Sequence, residues 1–262
     1  MTVDISFAHI LAYLLVWIRL AGMILFNPML ARVSIPTQVR MGLVFFLSLL
    51  IAPLQPEGTI EAVYSMHAYT YIFVMVLELA IGFVYGFIFQ ILYYLLYFVG
   101  DAIDTDIGLS MAKTMDPSTN IQTGFSSSIV TLLFSLFLFA SGSHLALFRI
   151  FASSFTAIPV ATFTLTTNVI AFVLDLFGQV FLLALRLLAP FMVAEFVLQF
   201  SMGVLMKFIP QITVFVINFQ LRIILGLLLL YAFTPYIGQF IDRYLDGLFN
   251  NLVYATQLMA GG

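Results

Sequence analysis

The sequence predicts an all-α integral membrane protein, and three features predict it. Of 262 residues, 63% are hydrophobic and only 8% are charged, where soluble domains carry about a quarter charged residues. A mean hydropathy of +1.14 and 29 Phe spread the apolar excess over the whole chain rather than one anchor. Apolar stretches near the roughly 20 residues needed to cross a bilayer alternate with short polar breaks.

The first stretch, from about His9 to Phe26, stops at Asn27-Pro28, because proline removes a helix donor and restricts the residue before it. It carries Arg19 and follows an N-terminus without a basic region, so it is expected as a retained helix rather than a signal peptide. A second, shorter helix is expected between Pro36 and Pro53, and a loop at Pro53-Leu54-Gln55-Pro56-Glu57-Gly58. The third runs from about Tyr69 to Val99, longer than a perpendicular span requires, which implies tilt or projection beyond the bilayer. A polar segment from Gly100 to Gly124 follows. The fourth helix covers about Phe125 to Ala140, is interrupted at Gly142-Ser143-His144, and leads to a Ser/Thr-rich connection from Ser153 to Thr167. Two long segments close the chain, about Val169 to Met206 and Ile212 to Tyr236. Six alternating spans from an outside N-terminus would place Arg32, Arg40, Lys113 and Lys207 inside and Arg149 and Arg243 outside, a thin positive-inside bias.

Composition also narrows function. A net charge of -3 and the absence of any Lys/Arg run argue against nucleic acid. With no cysteine there is neither a disulfide framework nor a thiolate site. His9, His67 and His144 sit near segment ends and form no His-Glu-x-x-His, so neither a metal nor another cofactor is expected. Gly108-Leu109-Ser110-Met111 and Gly124-Phe125-Ser126-Ser127 resemble serine-protease patterns, but no segment offers a mid-span histidine as base. Asp104-Thr105-Asp106-Ile107-Gly108 lacks the distal Glu of a calcium loop and reads as a solvated helix end. The chain is expected not to be an enzyme.

Ionisable residues inside apolar runs cost several kcal/mol if they face lipid, so Arg19, Glu78, Asp175, Arg186, Glu195 and Arg222 should face protein or water. Glu78, Gly82, Gly86 and Gln90 fall four apart and trace one helix face. The Gly-x-x-x-Gly spacing within it lets two backbones approach closely, so this stripe is expected to pack against another helix. Asp175, Gln179, Leu182 and Arg186 form a polar seam, with Pro190 one turn beyond and Glu195 past it. Asp175 and Arg186, about 16 Å apart along the axis, need separate partners. Either a subunit interface around an aqueous path or buried structural pairs satisfies that need.

Several short motifs, in order, carry a family resemblance: Ile18-Arg19-Leu20 with Pro28 and Ile35-Pro36; the run from Glu78 to Phe87; Gly108-Leu109-Ser110 leading to Asp116-Pro117; Ser153-Ser154-Phe155 with Pro159; and Ile209-Pro210-Gln211-Ile212-Thr213-Val214-Phe215 followed by Arg222 and Gly226. On these the chain resembles the FliR family of flagellar and type III secretion export-gate subunits over nearly its full length. Ala189-Pro190 reverses the usual order of that family, and Thr213 stands where Asn is common.

The resemblance implies a single helical membrane domain over 1–262, FliP-like to about 168 and a FliQ-like hairpin from about 169, assembled largely out of the bilayer plane. It implies a structural pore subunit in the bacterial inner membrane and flagellar basal body, working with FliP-like, FliQ-like and FlhB-like subunits, surrounded by lipid, and passing unfolded polypeptides. It further implies a channel plug at Gly108, Leu109, Ser110, Met111, Met115, Asp116 and Pro117. Gly permits a sharp bend there and Met adapts to an irregular constriction, although an ordinary surface loop has the same composition. Arg19, Glu78, Gly82, Gly86, Gln90, Asp175, Arg186, Glu195, Pro210, Gln211 and Arg222 are the expected packing and assembly residues. The alternative is a secondary transporter or small-solute channel, which also uses broken helices and buried charges.

Overall fold

A computed structural model describes residues 7–30, 35–110, 124–162, 167–208 and 214–261. Those residues form eight α-helices and no strand: α1 (Phe7–Leu25), α2 (Thr37–Ile51), α3 (Glu57–Tyr64), α4 (Ala68–Asp106), α5 (Phe125–Ala140), α6 (Ser143–Ala157), α7 (Thr167–Phe208) and α8 (Val214–Ala260). The protein is all-α, with four helical segments long and apolar enough to cross a membrane: α2 with the 3-10 turn after it, α4, α7 and most of α8. Against the six alternating spans expected, α1 and α5 are shorter apolar helices, and α5 joined to α6 would make a fifth span.

Four boundaries differ from expectation, each for a local reason. The loop at Pro53 is a 3-10 turn, Ala52–Leu54, and α3 starts directly after Pro56. Glu57 in its first turn complements the positive helix end. Helix α4 runs through Gly100 to Asp106, so the first quarter of the expected polar segment is helical. It ends only where Gly108 takes a φ of +81°, a left-handed geometry that glycine adopts without strain. The Ser/Thr-rich connection is helical to Ala157, because its hydroxyls donate to carbonyls one turn back: Ser153 to Ile150 at 3.0 Å, Ser154 to Phe151 at 2.7 Å and Thr156 to Ser153 at 2.8 Å. Lastly, α8 continues past Pro235 for another 25 residues to Ala260. Buried Ile237, Ile241, Tyr244, Leu248, Leu252, Ala255 and Met259 keep a helical spacing throughout that extension.

The chain divides into two compact units, residues 1–91, 141–176 and 245–262 in the first and 92–140 and 177–244 in the second. The first has Leu15, Leu20, Met23 and Ile24 of α1, Ile81, Tyr85 and Ile88 of α4, and Phe151 and Phe155 of α6 at its core. Within it the Tyr85 hydroxyl shares a hydrogen bond with Thr256. The second buries Val99, Ile103 and Ile107 with Phe134, Leu188, Phe191 and Ile241. There the Tyr244 hydroxyl donates to the Leu92 carbonyl at 2.8 Å.

Candidate functional site

In the first unit, α1 and α4 bring Arg19 and Glu78 together, 59 positions apart in sequence. Arg19 Nε donates to Glu78 Oε2 at 2.5 Å, and Arg19 Nη1 donates to the carbonyls of Ile158 at 2.8 Å and Ser154 at 3.4 Å. The other carboxylate oxygen, Glu78 Oε1, accepts the Ala161 N–H at 2.9 Å. The Phe155 ring lies under the guanidinium, 4.5 Å from Cζ to its centroid, adding a cation–π contact. One ion pair thus ties α1, α4 and the end of α6 into a node. It also holds Ala161 at a φ of +67°, an uncommon conformation for a residue with a Cβ.

The glycine stripe lies beside this node and faces α1 of the same chain. A methyl at Gly82 would overlap the Arg19 carbonyl oxygen and lie 2.9 Å from Gly22 Cα; one at Gly86 would lie 2.6 Å from Phe26 Cβ. Gly22 approaches Gly82 reciprocally, its own added methyl falling 2.9 Å from Gly82 Cα. The close approach is therefore backbone to backbone, the arrangement small residues permit. Gln90, the last member of the stripe, is half-buried.

In the second unit the end of α4 is anchored from two sides. Asp104 is fully buried, and both its carboxylate oxygens accept the Ser126 N–H, at 2.9 and 3.0 Å, capping the start of α5. At Asp104 this corrects the reading of a solvated helix end, while Thr105 remains exposed: an acid whose oxygens meet a helix N-terminus is stabilised by the positive end of the helix. Gly226 of α8 receives the Ile107 side chain so closely that a methyl would lie 2.6 Å from Ile107 Cβ. Gly108 sits under the Phe219 ring. Of the expected plug, Gly108 is buried and Leu109 and Ser110 are half-buried; Met111, Met115, Asp116 and Pro117 lie outside the described residues, as do Pro210 and Gln211.

The charges of the last third separate into two groups. Arg222 Nε lies 2.7 Å from Glu195 Oε1, but its N–H is not aligned on that oxygen, so the contact is one of charge rather than a directed hydrogen bond. The Gln199 amide donates to the same oxygen at 3.0 Å. Asp175 and Arg186 are exposed on α7. Among the described residues no group of three or more His, Asp or Glu could hold a metal ion.

Sequence reasoning missed Gly22 and Gly100, read Asp104 as solvated, and named Gly226 only within a family motif. Gly100 passes so close to α5 that a methyl would lie 2.8 Å from Ser127 Cβ. Each of these three glycines stands without a second glycine four positions away, so spacing offered no signal.

The model of bacterial export proteins, family 1, matches residues 10–248, most of the chain. The chain belongs to this family. Among its relatives, the flagellar biosynthetic protein FliR of Escherichia coli strain K12 is 27% identical over 235 residues, covering 90% of this chain and 88% of its own. The FliR of Buchnera aphidicola subsp. Acyrthosiphon pisum is 30% identical over 214 residues, covering 79% and 81%. The Yop proteins translocation protein T of Yersinia pestis is 25% identical over 233 residues, covering 88% of each. The family match to this export protein spans α1 through most of α8, including every described site residue.

Proposed function

We propose that this bacterial export protein is a structural subunit of the flagellar type III export gate, lying in the inner membrane and helping to form and close the channel for unfolded flagellar proteins. The observation that carries the reading is the similarity to FliR proteins over some nine-tenths of both chains. The site is consistent with a mechanical role. The Arg19–Glu78 node and the glycine stripe are internal scaffolding, whereas residues 108–117 begin at a tightly packed corner and supply Gly, Leu and Met suited to sealing a constriction. Lys113 and Asp116 supply anchoring charge. The expected partners are FliP-like, FliQ-like and FlhB-like subunits. On the same reading residues 1–168 correspond to the FliP-like part and 169–262 to the FliQ-like hairpin, the boundary falling at the start of α7.

The test is co-expression with the FliP-like and FliQ-like subunits, purification of the complex and conductance after reconstitution. Deleting residues 110–115 is expected to leave the complex assembled but leaky to ions and small solutes. Replacing Met111 and Met115 by Gly should leak less, because the loop stays while its sealing bulk goes. A deletion complex as tight as the parent would show that this loop does not close the channel. A chain that purifies alone as a monomer binding a small solute would favour a transporter instead.

A further inference from the structure

Between α7 and α8, within the second unit, lies a cleft of about 350 Å³ into which Arg186 and Arg243 both open. Its other walls are apolar or aromatic, among them Pro190, Phe233, Tyr236 and Tyr244, and no carboxylate lines it. Arg186 is exposed and makes no hydrogen bond or ion pair among the described residues. Arg243 has only a long contact, 3.4 Å from Nε to the Gln239 carbonyl, and forms no ion pair with its neighbour Asp242. Two of the nine cationic side chains of the whole sequence thus meet in one apolar cleft, and among the described residues no carboxylate pairs with either. Both helices have segments apolar enough to cross a membrane, where an unpaired guanidinium is costly and stays charged.

We propose that this cleft holds the headgroup of an anionic phospholipid of the phosphatidylglycerol class. The phosphate accepts from the two guanidiniums, whose planar forks suit phosphate oxygens. The Tyr236 hydroxyl, which makes no hydrogen bond among the described residues, supplies a further donor. Pro190 has no N–H, so the Arg186 carbonyl lacks the donor that a helix normally places four residues on; a headgroup hydroxyl fills that place. Ring contacts brace the walls, Phe191 to Phe233 at 5.7 Å and Phe240 to Tyr244 at 5.3 Å between centroids. Basic pockets between membrane helices recognise anionic headgroups on these terms, and the acyl chains run outward over apolar helix surface.

Native mass spectrometry of the full chain in detergent tests the proposal, with phosphatidylglycerol and phosphatidylcholine of identical acyl chains as probes and glycerol phosphate as a tail-less control. The phosphatidylglycerol adduct should exceed the phosphatidylcholine adduct by about tenfold, because both carry the phosphate but the choline cation is repelled by the two guanidiniums and offers no hydroxyl to the Arg186 carbonyl. Arg186→Gln and Arg243→Gln should each remove most of that preference. Arg149→Gln, which deletes an exposed arginine of α6, should keep it. Equal binding of the two lipids, or a double glutamine variant that folds and retains the preference, would overturn the proposal. So would competition by glycerol phosphate at equal concentration, which marks a soluble-anion site, or loss of the lipid when partner subunits bind, which marks a protein interface. Should the glutamine variants not fold, the ratio measured on the unaltered chain still decides.

Discussion

Arg19 and Glu78 meet with 0% and 1% of their side chains exposed, whereas Arg222 and Glu195 meet with 25% and 8%. The first pair is hydrogen-bonded on both sides: three backbone groups and an aromatic face surround it, and Arg19 Nη2 is buried without a hydrogen-bond partner among the described residues. The second has one amide for support and leaves its arginine partly open. Both place a charge within an apolar helix, yet the first turns Nε, Nη1 and both carboxylate oxygens to groups inside the chain, where the second has a single directed hydrogen bond.

The largest effect that sharpens this contrast is expected from Glu78→Ala. Removing one partner strands the Arg19 charge among apolar side chains, a loss of about 3–5 kcal/mol, read as a collapse of yield and of the melting temperature in detergent. The double variant Arg19→Met with Glu78→Leu should melt above Glu78→Ala, since it leaves no charge behind; if it melts lower, the backbone contacts of Arg19 matter more than the pairing. Next in size is Gly82→Ala. Its methyl meets main chain on α1 and cannot be relieved by a rotamer change, so about 3 kcal/mol is expected. Gly58→Ala, with nothing within 4 Å, should leave the melt unmoved, and equal melts for the two would refute the close approach of α1 and α4. The smallest effect is expected from Arg222→Gln, about 2 kcal/mol, because a glutamine amide keeps a donor beside Glu195 and the Gln199 amide already donates to the same carboxylate. A shift as large as that of Glu78→Ala would erase the distinction between the pairs.

Much of the fold was legible because it depends on period and punctuation. Asn27-Pro28 marks the end of α1, and the Asn27 side chain there accepts the Met29 N–H at 3.0 Å. The spacing of Glu78, Gly82 and Gly86 pointed to a packing face, since small residues four apart let two helix backbones approach. Which helix would meet that face was not legible, and neither was the Arg19–Glu78 partnership. Periodicity orders residues around one axis and carries no information about a second axis 59 residues away. Asp104 shows the same limit, because the N–H it accepts belongs to Ser126, on a different helix. Helix α6 and the extension of α8 were missed for another reason. Ser, Thr and Pro weaken helices in isolation, and here hydroxyl back-bonding and burial of one stripe override that preference.

Helices α4, α7 and α8 contain 39, 42 and 47 residues, about 58, 63 and 70 Å at the rise of an α-helix, against a hydrocarbon thickness of roughly 30 Å. Such a rod carries its main-chain hydrogen bonds with it, so sliding it along the membrane normal breaks none of them. Only the side chains that change solvent set the cost. Depth is then a degree of freedom separate from fold: the chain alone in a bilayer and the chain within its complex can hold identical helices at different heights. With no native cysteine in the sequence, single cysteines introduced along α8 would read that height without background, before and after assembly.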